Sequence, residues 1–220
     1  MKRHLAFCLF ATGCALQHQG PNAPQDPTHT EAQTASRGRT DASLGIADPR
    51  LADLLEAHWD SLMQSSPLWA SNLGDKRFHD RLGDWSLEAV EKERERRRDF
   101  LVQAATIRPT SPSDQRSLRL FVDHLEAQQG LEQCVFEKWS FSARDNPLFL
   151  FNGLQDTHSI ASLEDAEAYL KRLDGAPRVI EEVVKSLRAG LNEGLTANAE
   201  STRKVLEMAE ATLALPNDQW

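Results

Sequence analysis

Cysteine is scarce in this sequence: there are three, Cys8, Cys14 and Cys134. A disulfide framework is therefore excluded as the main source of stability, which has to come from packing. Seven histidines are present (His4, His18, His29, His58, His79, His124 and His158), and no two stand four residues apart. A helical zinc site needs that spacing, because two imidazoles one turn apart grip one ion while an intervening glutamate activates water. The Gly-x-Ser-x-Gly elbow of serine hydrolases and the glycine-rich phosphate loops are also missing. Positive charge is in deficit, with a formal net charge of -8. That balance argues against general nucleic-acid binding and against electrostatic adhesion to an anionic membrane. Mean hydropathy is -0.51 and 40% of residues are apolar, an ordinary soluble composition.

The first residues read as an address. Lys2 and Arg3 precede the apolar run Leu5–Thr12, eight residues that are too few to cross a bilayer as a helix. Small residues then lead to Cys14 in Ala11-Thr12-Gly13-Cys14. This resembles the lipobox of bacterial lipoproteins, with Ala11 where Leu is commonest. The reading is a lipoprotein-type signal over residues 1–13, with Cys14 acylated to anchor the chain to a membrane; simple secretion and a coincidental apolar start are the alternatives. Residues 14–47 form the lipidated cysteine and its linker: from Ala15 the stretch is polar and lacks aromatic residues. Such composition buries too little apolar surface to offset ordering entropy, so a disordered tether is expected.

From Asp48 onward the pattern is helical, and residues 48–220 are expected to form an all-α domain of six to eight helices. Asp48-Pro49 and Ser66-Pro67 each place a capping side chain before a proline at the first helical position. Leu51, Leu54, Leu55, His58, Trp59 and Leu62 make the first stripe. Ser86 caps a helix reaching about Ile107, with Val90, Leu101, Ala104 and Ala105 inward. Its run Glu91–Asp99 alternates in sign and reads as a solvated face with Glu93 paired to Arg96 and Arg97. Ser111-Pro112 opens a helix interrupted at Gly130, and Leu131–Phe151 weakly permits extended structure. Ser162–Asp165 reads as an acidic capping box, followed by helices from Pro177 and from about Ser201. Val179, Ile180, Val183, Val184, Leu187 and Leu191 share one side of the penultimate helix.

Three segments resemble the amino-terminal part of the bacterial "domain of unknown function 885" family, across Leu51 to Leu215. The first is His58-Trp59, Ser66-Pro67-Leu68-Trp69-Ala70, Leu73-Gly74 and Arg77-Phe78-His79-Asp80-Arg81-Leu82. The second begins at Ser113-Asp114-Gln115. The third is Ala168-Tyr169-Leu170-Lys171-Arg172-Leu173 with Leu187-Arg188-Ala189-Gly190 and Gly194-Leu195-Thr196. His79 departs from the family pattern, which favours an acidic or amide residue, and Asn198 departs from its proline. The resemblance implies an exported, zinc-peptidase-like ancestry with zinc bound through a motif that these 220 residues do not contain. No catalytic or metal-binding residue is assigned, and the chain is expected to carry no cofactor. Cys134 reads as a small buried residue and the tryptophans as fillers. His158 with Asp156 is a weak metal suggestion, while His58 and Trp59 are the candidate contacts to a substrate or partner. Two functions follow: a truncated front portion of an exported peptidase, inactive alone, or a non-catalytic envelope lipoprotein that binds a peptide or protein partner.

Overall fold

The computed structural model describes residues 40–216, so the signal segment, Cys14, His4, His18, His29 and Trp220 lie outside the described residues. Nine α-helical segments are present and no strand occurs among the described residues, so the domain is all-α. They are α1 (Pro49–Ser65), α2 (Pro67–Asn72), α3 (Leu87–Ala104), α4 (Pro112–Leu131), α5 (Pro147–Asn152), the single turn α6 (Leu154–Thr157), α7 (Leu163–Asp174), α8 (Ala176–Asn192) and α9 (Ala199–Leu213).

Local chemistry sets most boundaries. Asp48 Oδ1 accepts from the Arg50 and Leu51 amides, Ser86 Oγ from Ala89, Ser111 Oγ from Ser113, and Asn146 Oδ1 from Phe149. Each satisfies an amide that a helix start leaves unpaired. Ser66 is the exception: it precedes α2 but makes no side-chain cap. In the box that opens α7, Ser162 Oγ accepts from the Asp165 amide while Asp165 Oδ2 accepts from the Ala161 amide and the Ser162 hydroxyl. Asn198 Oδ1 accepts from the Ser201 amide, so α9 also starts through a side-chain bond.

Two apolar clusters follow. Leu51 and Leu54 of α1 meet Phe100 and Ala104 of α3, Ile107, and Phe121 and Leu125 of α4. Leu82, Leu154 of α6 and Val179 of α8 form a second cluster, flanked by Leu68, Tyr169 and Leu173. Thr40–Ala47, the end of the stretch read as a linker, is fastened to the first cluster. Glu56 accepts from the Thr40 amide and hydroxyl and from the Ser43 hydroxyl. Buried Asp114 accepts from the Ala47 and Asp48 amides at 3.1 and 2.7 Å.

Several sequence expectations need correction. α4 runs through Gly130 to Leu131. The stretch permitting extended structure folds as two 3-10 turns, Glu132–Cys134 and Phe136–Lys138, and then α5. Val135 between the turns has φ 42°, a left-handed conformation that crowds a β-branched side chain. Ala105 is exposed and Phe100 takes the inward place. The charged run of α3 is more than a solvated face. Arg96 pairs with Glu93, but Arg97 pairs with Glu132, and Arg94 reaches Glu137 at 2.8 Å, which stitches α3 to the two turns.

Candidate functional site

Parts of the first and third motif segments meet at one buried side chain, Arg172 of α7, which is fully shielded from solvent. Its Nε donates to the Arg81 carbonyl at 3.0 Å, and one terminal nitrogen donates to His158 Nδ1 at 3.1 Å. The other donates to Ser71 Oγ at 2.8 Å and the Phe78 carbonyl at 2.9 Å, with the Pro67 carbonyl at 3.5 Å. Among the described residues no carboxylate pairs with it, Asp80 acting only through its charge at a distance. Burial pushes its guanidinium down to about 10, so the charge survives at neutral pH and is held by carbonyl dipoles. His158 Nε2 must then carry the proton it donates to the Asp165 carbonyl at 2.8 Å. Both of its nitrogens are used structurally, which disposes of the metal suggestion with exposed Asp156.

His79 stacks on His158 with ring centroids 4.5 Å apart. It is buried, and neither ring nitrogen has a hydrogen-bond partner among the described residues. Burial, reinforced by the neighbouring His158, Arg172 and Lys76, holds its pKa below the ordinary histidine value. Asp165 lies well below the usual carboxylate range, chiefly because Lys76 donates to it at 2.7 Å.

His58 packs edge-on against Phe100 and Phe121, with centroids 5.2 and 5.0 Å away. It lines a hollow of about 220 Å³ with His124, Arg96 and Arg97. Trp59 is half-buried on α1 and outside that hollow. The two candidate contacts are therefore not brought together. Among the described residues no group of three or more His, Cys, Asp or Glu is placed to hold a metal ion. The zinc that the resemblance implies therefore finds no fitting donor set among these side chains.

The larger hollow was missed in the sequence. A cleft of about 770 Å³ opens between α2, the Leu82–Trp85 loop, the Phe136–Phe141 segment and α8. Trp69, Trp85, Phe136 and Phe141 line it together with Asp84, Glu137 and Asp145, and no lysine or arginine does. Trp69 is 51% exposed, although its motif reads as packing. A second hollow of about 320 Å³ lies between α8 and α9, walled by Ile180, Val184, Val205 and Leu206 and almost wholly apolar. The stripe of α8 is thus divided: Val179 enters the core while Ile180 and Val184 face this hollow. Phe141, Pro147, Val183 and Leu187 line both hollows, so the two adjoin along α8 across this shared wall and form the two halves of a grooved surface.

The groove's wall is held by Gly190 of α8. A Cβ there would lie 2.1 Å from the Lys138 carbonyl oxygen, so only glycine lets the Phe136–Lys138 turn approach the helix. Lys138 then reaches Glu193 at 2.6 Å.

Residues 67–219 match the family model described as bacterial protein of unknown function (DUF885). The chain belongs to this family. The match begins at α2, so α1 with His58 and Trp59 precedes it, whereas the Arg172 node, Gly190 and the groove of this DUF885 domain fall inside. No curated protein matches the sequence.

Proposed function

We propose that this DUF885 protein is exported, tethered to a membrane through lipidated Cys14, and binds extended polypeptide in the groove along α8. The carrying observation is that an aromatic cleft and an apolar hollow share a wall of four residues, Phe141, Pro147, Val183 and Leu187. Their volumes, about 770 and 320 Å³, are of the size that accommodates several side chains in sequence. The lipobox-like Ala11–Cys14 and the polar stretch after it support the tether. A binding role without catalysis is favoured because the buried polar cluster of Arg172, His158 and Asp165 is engaged in structural bonds and lines neither hollow.

A second reading has the same groove serving as the substrate wall of a zinc-peptidase-like scaffold whose metal chemistry these residues do not supply. It is supported by the motif residues of the first and third segments that meet at the Arg172 node and at Gly190. Titrating unstructured peptides while following tryptophan fluorescence tests both, because Trp69 and Trp85 line the cleft. Saturable binding with intact peptide recovered afterwards is expected. Absence of binding at millimolar peptide refutes the groove reading, and cleavage refutes the non-catalytic one.

A further inference from the structure

The two halves of the groove differ in chemistry, and the difference specifies an occupant. At the cleft end, the carboxylates Asp84 and Asp145 line the same hollow as Trp69 and Trp85, which are 51% and 36% exposed. Glu137 is already neutralised by Arg94 at 2.8 Å. Asp84 accepts from the Ser86 amide and meets Arg178 only at 3.4 Å through a solvent-exposed contact, and it stays below the usual carboxylate range, mainly through Ser86. Asp145 accepts from the Ser140 hydroxyl at 3.2 Å and has no ion pair among the described residues. A cleft lined by both carboxylates and indoles favours an ammonium or guanidinium, which gains from the charge and from the ring quadrupole. The α8–α9 end offers the reverse. Ile180, Val184 and Leu206 stand open to solvent there, and Leu206 is 58% exposed. An anionic occupant would meet like charge at the cleft end and only apolar surface at the other.

We infer that the groove selects a polypeptide segment in which a lysine or arginine is followed or preceded by a short aliphatic run. The cation sits between Trp69, Trp85, Asp84 and Asp145, and the aliphatic side chains sit between α8 and α9. This inference rests on the groove-binding reading above and adds its specificity. Complementarity, not area alone, decides the choice, because the opposite charge pattern would place like charges together.

Three fluorescein-labelled peptides of equal length test it on the full chain by anisotropy: one basic and aliphatic, one acidic and aliphatic, one basic with the aliphatic residues replaced by serine. The basic aliphatic peptide is expected to bind about tenfold or more tighter than either other, and more weakly as salt rises. Asp84→Asn with Asp145→Asn should cut its preference over the acidic peptide about fivefold. Leu206→Ser, at an exposed position, should erase its preference over the serine peptide without lowering the melting temperature. Equal affinities for the three peptides, or tighter binding of the acidic one, overturn the inference and leave the groove as a binding site. Failure of all three to bind overturns the groove-binding reading itself. Unchanged preferences in correctly melting variants overturn the placement of the two ends.

Discussion

Replacing Arg172 by methionine keeps much of the side chain's volume and removes every donor it brings to the interior. In the native domain the Arg81 and Phe78 carbonyls and His158 Nδ1 take their bonds from this guanidinium. Ser71 Oγ is less affected, since its hydroxyl also donates to the Pro67 carbonyl at 3.0 Å. Three acceptors, His158 Nδ1 buried and the two carbonyls part-buried, therefore lose a charged donor, at about 1–3 kcal/mol apiece with the carbonyls at the lower end. Against this, the variant no longer buries a charge that lacks a carboxylate partner, which recovers part of the loss. The net expectation is destabilisation by about 3–5 kcal/mol, comparable with breaking a buried ion pair. For a domain of this size that is a fall in melting temperature of roughly 6–20 °C. Urea unfolding followed by far-UV circular dichroism measures it directly. Arg172→Lys should recover little, because one ammonium cannot reach acceptors spread around a planar fork. A methionine variant within 1 kcal/mol of the native protein (about the scatter of surface changes) would refute the assignment of this residue as the structural hub.

Gly190→Ala should cost at least about 2–3 kcal/mol by overpacking, since the new Cβ would meet backbone 2.1 Å away and not a flexible side-chain end. The same change should weaken peptide binding more than Gly130→Ala, where nothing lies near the added carbon. His79 and His58 both have folded pKa values below the ordinary histidine value, chiefly through burial. The unfolded chain then binds more protons, so stability falls as pH drops through the unfolded histidine value near 6.5. Carboxylates such as Asp165, depressed by their partners, contribute the same sign of change only in more acidic solution. Melting temperature should therefore fall between pH 7.5 and pH 5.5 (about one unit either side of the free imidazole), and His79→Asn should flatten that slope. Cys14→Ser should shift the protein from the membrane to the soluble fraction after cell fractionation, whereas a protein that is soluble to begin with contradicts the tether.

The helical class and most helix starts were legible because caps and N1 prolines act over three or four residues. Asp48-Pro49, Ser111-Pro112 and Ser162–Asp165 carry their own geometry. The Leu131–Phe151 stretch was not legible: its alternation of apolar residues comes from two tight turns around Val135, whose backbone is fixed by packing against α3 and α8. The Arg172 hub was invisible for a related reason. Three of its partners are carbonyls 91 to 105 residues away, and carbonyls leave no trace in side-chain identity. Nor could the groove be read, because periodicity treats every apolar residue as core. Ile180 and Val184 share a stripe with buried Val179, yet α9 stands off from them and leaves a hollow. Histidine spacing, by contrast, was a property of the sequence alone.

Hydrogen exchange of the full chain, with and without a saturating basic aliphatic peptide, tests the central claim most directly. The account predicts slowed exchange confined to α2, the Phe136–Pro147 segment, α8 and α9, the elements that wall the groove. Protection centred instead on α1, α3 and α4 around His58 and His124, or no protection at all, would contradict it.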